Sequence, residues 1–216
     1  MKNRTLRISL ILAILTLVTS CFMGSTFAKY VTTDGTSDTA RVAKWGVEVS
    51  VELPATGGLA TSYATTDTAN YTGANSVVSS NGDKLVAPGT NGVIMVAEVA
   101  GAPEVAVEVK KVANLTLANW EVGGAYYCPI IFTVNGTQYK GTDYTSMVLF
   151  EEAVEAALNS TVYFDPNANI YSGVTVSWEW TFEGDDVKDT ALGNQAATGN
   201  AANFTLSYDI TVTQVD

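Results

Sequence analysis

Two long stretches near the end of the chain alternate with a period of two residues, and that period limits the fold more than any other feature. Val174, Val176, Trp178, Trp180 and Phe182 stand against Thr175, Ser177, Glu179, Thr181 and Glu183. Phe204, Leu206, Tyr208, Ile210 and Val212 stand against Thr205, Ser207, Asp209, Thr211 and Thr213. Successive side chains of a strand point to opposite faces, so each stretch fits a half-buried strand with one dry and one wet face. Shorter runs repeat the pattern. Val47, Val49, Val51 and Leu53 oppose Glu48, Ser50 and Glu52, and Val105, Val107 and Val109 oppose Glu104, Glu108 and Lys110. Leu115 and Leu117 carry the alternation on to Trp120. Tyr127 to Val134 and Thr137 to Lys140 flank Asn135-Gly136, a pair that readily takes positive φ at both positions of a two-residue hairpin turn. Alternating strands joined by turn-rich loops point to an all-β, antiparallel β-sandwich.

The period changes once. From Ser146 to Leu158 the apolar residues fall at Met147, Phe150, Val154, Ala157 and Leu158, with Glu151, Glu152 and Glu155 opposite. This spacing predicts one short amphipathic helix, capped by Ser146, that crosses between sheets or covers an end of the sandwich. Its glutamates read as a wet face. Pro54 to Lys84 reads as a long surface loop or weak hairpin anchored by Tyr63 and Tyr71, and Gly184 to Ala202 as a polar loop.

The N-terminus reads as an export signal. Lys2, Arg4 and Arg7 make a basic segment, Ile8 to Val18 an apolar one too short to span a bilayer stably, and Thr26-Phe27-Ala28 ends in small residues suited to a signal peptidase. Cleavage between Ala28 and Lys29 divides the chain into a leader (1–28), an N-terminal arm (29–43) and one sandwich domain (44–216). Val18-Thr19-Ser20-Cys21 supports an alternative, a lipobox in which Cys21 is lipidated and tethers the protein. The leader takes three cations with it, so the net charge falls from −11 to −14. That balance argues against nucleic acid and anionic membrane surfaces as partners. The sequence has two cysteines, Cys21 and Cys128. The mature chain therefore forms no internal disulfide, and Cys128, within an apolar run, reads as a small core residue.

The search for chemistry excludes much. The sequence has no histidine, which removes the HExxH zinc motif, histidine-based triads and the usual general base. Glu183, Asp185, Asp186 and Asp189 are weak calcium candidates whose spacing does not match an EF-hand loop. Acidic loops are more often simply solvated. Trp178 and Trp180 offer stacking for sugars, but same-face tryptophans in an alternating strand are more often core. No catalytic residue and no cofactor is assigned, and the chain is not read as an enzyme.

The two ends carry a resemblance. Gly24-Ser25-Thr26-Phe27-Ala28-Lys29-Tyr30, the run Asp38 to Val47 leading into a strand, the Leu85 to Gly89 turn, the helix after a central hairpin and the closing Asp209 to Asp216 strand are similar to the TasA/camelysin-like family of exported Gram-positive proteins. Leaders of that family are cut by a SipW-type signal peptidase. Lys29 departs from the family, in which an aromatic is commoner after the cut; here Tyr30 follows instead. The resemblance implies a jelly-roll-like sandwich and a secreted structural protein of extracellular biofilm fibres, assembled head to tail by donor-strand exchange. Its partners are then other copies of itself, the signal peptidase and other matrix proteins, with no stable transmembrane segment after processing. The donor strand falls on Lys29, Tyr30, Val31, Thr32 and Thr33, read as an extended segment with no partner in its own chain. Tyr30 and Val31 are the expected pocket-filling residues. The camelysin part of the family name implies a metalloprotease, for which no matching motif is present. A monomeric surface lipoprotein or adhesin held at Cys21 is the other alternative.

Overall fold

The chain closes two antiparallel sheets over one core. The computed structural model describes residues 31–33, 45–52, 58–66 and 69–215. The leader, the cleavage residues Ala28 and Lys29, Tyr30 and Cys21 lie outside the described residues. The strands are β1 (Val31–Thr33), β2 (Val47–Glu52), β3 (Ser62–Ala64), β4 (Asn75–Val78), β5 (Thr90–Gly101), β6 (Val107–Ala118), β7 (Glu121–Val122), β8 (Ala125–Tyr126), β9 (Ile130–Val134), β10 (Thr137–Lys140), β11 (Ser160–Phe164), β12 (Ile170–Trp180) and β13 (Asn203–Gln214). The α-helices are α1 (Met147–Leu158) and α2 (Asp186–Ala197), and Gly141–Asp143 forms a single 3-10 turn.

One sheet runs β1-β13-β6-β11 and the other β10-β9-β12-β5-β2. Past β5 the chain changes sheet repeatedly, to β6, back to β9 and β10, over to β11, back to β12 and over to β13. Within this order lie two four-stranded ladders, β1-β13-β6-β11 and β5-β12-β9-β10, which is the arrangement of a jelly roll, with β2 added beside β5. β3–β4 and β7–β8 are separate two-stranded ribbons.

The inner residues of both sheets make the core. β6 buries Val107, Val109, Leu115 and Leu117, and β12 buries Ile170, Val176, Trp178 and Trp180. Aromatic rings join the sheets: Phe204 of β13 meets Phe132 of β9 at 5.1 Å and Trp178 of β12 at 6.0 Å. The two tryptophans are therefore core side chains, not an exposed sugar platform. The expected hairpin forms at Asn135 and Gly136, with φ of 48° and 85°, and pairs Val134 with Thr137. Gly101 is a close approach: at φ 148° a Cβ there would sit on the carbonyl oxygen of Gly46. Tyr63 anchors the first ribbon, its ring against Trp178 and its hydroxyl donating to the Leu85 carbonyl at 2.7 Å. Tyr71, expected to share that role, is exposed.

α1 begins at Ser146, whose Oγ accepts from the Leu149 N–H, and it buries Phe150, Val154 and Leu158. Its position corrects the reading of its glutamates. β11 pairs with β6 only over Val107–Lys111, which leaves the N–H groups of Ala113, Leu115 and Leu117 facing α1. Glu151 accepts from Leu117 N–H at 2.6 Å, Glu155 from Leu115 at 2.8 Å and Asn159 from Ala113 at 2.6 Å. Residues four apart on a helix rise about 6 Å and residues two apart on a strand about 6.8 Å, so the two ladders stay in step over three rungs. The helix closes a sheet edge through its side chains. Glu152, between the two capping glutamates, is exposed.

The polar segment Gly184 to Ala202, expected to be a loop, contains α2. Asp185 caps it by accepting from Lys188 N–H, Asp186 and Asp189 occupy the first turn, and Gly199 follows its end at φ 87°. The fold thus has two α-helices among the described residues, where the sequence reading has one.

Candidate functional site

The N-terminal strand is the first segment the sequence marks for function. The reading of an arm with no partner in its own chain is corrected by the pairing found. Val31 faces Thr213, Thr32 faces Val212 and Thr33 faces Thr211, antiparallel, along the outer edge of β13. Contacts gather Val31–Asp216 into one unit, so β1 belongs to the folded body. Its physical cause is the edge itself. β13 pairs with β6 on one side along all twelve of its residues, which leaves a second row of backbone donors and acceptors to be satisfied.

Three residues cover a small part of that row. Beside β1 the inward side chains of β13 are closed off, with Ile210 and Val212 buried. Farther along, Leu206 and Tyr208 also point inward but are half-buried. The described residues place no strand beside Asn203–Ile210 on that side. The site is therefore a strand edge with a short occupant at one end and partly open apolar positions beyond it.

The calcium candidates do not converge. Asp189 is buried and accepts from the Tyr127 hydroxyl at 2.8 Å and, at 3.4 Å, from the Trp180 indole N–H. Asp185 caps α2 and pairs with Lys188 Nζ at 3.0 Å, which holds its carboxyl below the usual range. Glu183 and Asp186 are exposed. Among the described residues no group of three or more His, Cys, Asp or Glu side chains is placed to hold a metal ion. Cys128 is fully buried, and burial pushes its thiol up to about 12. A thiolate is the reactive form, so this cysteine is inert in the folded chain. No described helix is long and apolar enough to cross a membrane.

Sequence reasoning missed Lys111. It points into the sandwich from β6, is 4% exposed, and spans the two sheets by donating to the Ser172 carbonyl at 3.1 Å and Oγ at 2.7 Å on β12. Burial lowers its pKa. Its place in the alternation, on the same face as Val107, Val109 and Ala113, was a usable signal. No protein-family model, no curated protein and no solved structure matches the chain.

Proposed function

We propose that the chain is an exported structural subunit that polymerises into extracellular, TasA-like matrix fibres by exchange of its N-terminal strand. The observation that supports this most is the pairing of Val31–Thr33 with β13. A segment close to the N-terminus supplies the outermost strand of a sheet whose other strands come from Val107 onward. The same backbone bonds form whether β1 comes from its own chain or from a neighbour, so exchange is close to isoenergetic. Three residues contribute few hydrogen bonds, each worth about 1 kcal/mol net, so the strand leaves its own edge at modest cost. The half-buried Leu206 and Tyr208 lie farther along the same edge, where a longer extended donor from either source gains further contacts. Because donor and acceptor are different surfaces, the contact is head to tail and extends into a filament. Removal of the leader frees the arm.

The test is electron microscopy of the chain beginning at Lys29 beside a chain beginning at Ala43. The first forms thin fibres with a repeat of about one subunit, and the second stays as folded single particles. Fibres from the truncated chain, or single particles from both, overturn the reading.

A further inference from the structure

The opposite edge of the β1-β13-β6-β11 sheet is built for a second contact. Edge strands in soluble proteins are usually blunted by charge, proline, a bulge or a cover. β2 carries Glu48 and Glu52, β10 carries Lys140, and the free half of β6 is closed by α1. Within β11 there is no charge, proline or bulge, and among the described residues no strand or helix lies along its outer edge. Its sequence, Ser-Thr-Val-Tyr-Phe, holds no charge, its register on β6 is unbroken, and its first four residues are exposed. Val162 points inward yet is 38% exposed, and Tyr163 is 64% exposed. The run stops at Asp165-Pro166.

We infer that β11 is a self-association edge, pairing antiparallel with β11 of a second copy about a twofold axis through Val162. An open row of strand donors and acceptors takes an extended strand. In a chain of net charge −11, two copies repel over most of their surfaces, and an uncharged edge is where they approach at least cost. The register agrees. With Val162 opposite its own copy, Thr161 faces the other chain's Tyr163. Lys110 lies beside Thr161 and Glu108 beside Tyr163 on the outer face. Each row then runs Glu108, Tyr163, Thr161, Lys110, with opposite charges at its two ends and none between. The two four-stranded sheets become one sheet of eight strands.

Five residues a side is far less than a stable dimer interface buries, so isolated subunits pair weakly and transiently. Repeated along a filament, the same contact holds two filaments side by side. The pairing is a property of the folded subunit and does not require exchange of β1, so the two readings fail separately.

The test uses chains beginning at Lys29 with Thr161→Cys, Val162→Cys or Tyr163→Cys, oxidised mildly and compared on non-reducing gels. Cys128 is buried and does not compete. Directly opposed residues lie within disulfide reach, whereas 161 and its own copy are offset by two residues and lie beyond it. V162C therefore gives about tenfold more linked dimer than T161C or Y163C. As a second reading, V162K and V162E each lose cross-linker-trapped dimer alone, and an equal mixture of the two regains it. Equal yields at the three cysteine positions, no dimer at 162, or no rescue by mixing overturns the inference, whether or not fibres form.

Discussion

Glu151 and Glu155 offer the sharpest separation between a reading from helix periodicity and one from the packed structure. As wet-face residues their replacement by alanine is harmless, and alanine's helix propensity makes it slightly stabilising. As acceptors for Leu117 and Leu115 N–H they have a structural task. A hydrogen bond to a charged group contributes about 1.5–3 kcal/mol, and water recovers part of it at these half-buried positions, leaving about 1–2 kcal/mol each. The double variant E151A/E155A is then destabilised by about 2–4 kcal/mol. At about 2–4 °C per kcal/mol for a domain of this size, Tm falls by about 4–16 °C. Urea unfolding followed by tryptophan fluorescence measures it, with E152A as the control because Glu152 is exposed and unchanged by the ladder. E151Q/E155Q keeps an acceptor oxygen without its charge and recovers about half the loss. A double alanine variant within about 0.5 kcal/mol of the native chain, or no worse than E152A, would refute the edge-capping account.

Three further outcomes follow from buried polar groups. D189A leaves the Tyr127 hydroxyl and the Trp180 indole N–H without their acceptor, and unfolding measurements show a loss of about 2–3 kcal/mol. K111M removes a buried cation and keeps its volume, so stability at neutral pH is unchanged or higher by up to about 2 kcal/mol despite the loss of the Ser172 contacts; a larger loss than gain contradicts this. Burial holds Lys111 below its ordinary 10.5, so between the two values the unfolded chain binds more protons than the folded one and stability rises with pH. Tyrosines whose pKa is raised by loss of solvent around the hydroxyl act in the opposite sense in both chains, so the native-minus-K111M difference isolates the lysine, and a difference that does not change with alkaline pH contradicts its burial. Cys128 in the chain from Lys29 stays unlabelled by a thiol reagent until denaturant unfolds it; rapid native labelling contradicts its burial.

The legible parts of the fold were those with a period. β12 and β13 announced themselves because every second residue is large and apolar, and α1 because Phe150, Val154 and Leu158 recur at helical spacing. α2 was hidden because Leu192 is its one large buried apolar residue, and its inward acid, Asp189, looks polar in a sequence. Its brackets were nevertheless present, with Asp185 at the start and Gly199 just past the end. β11 was missed for the opposite reason. It is exposed on both faces, so no alternation distinguishes it. The strand order also lay out of reach, since it depends on which strands meet across the core.

The site was legible in part. Extended propensity in Val31–Thr33 was visible, but its partner was not, because a sheet edge is a property of two distant segments. Likewise Glu151 looked solvated because a backbone N–H waiting for an acceptor leaves no mark on the sequence. The buried Lys111 shows the converse case, where its place in the β6 alternation marked it and its charge concealed it.

On the strand-exchange proposal, Val31–Thr33 pairs with β13 within one chain in the monomer and between chains in the fibre. Thr33 and Thr211 are opposed in that pair and lie within disulfide reach when changed to cysteine. Chains from Lys29 carrying Thr33→Cys are mixed with chains carrying Thr211→Cys, assembled, oxidised and separated without reductant. Strand exchange gives mixed disulfide-linked dimers from fibres, and an intrachain bond with arrested growth when both cysteines are on one chain held as monomer. Fibres that form yet yield no mixed disulfide would contradict it.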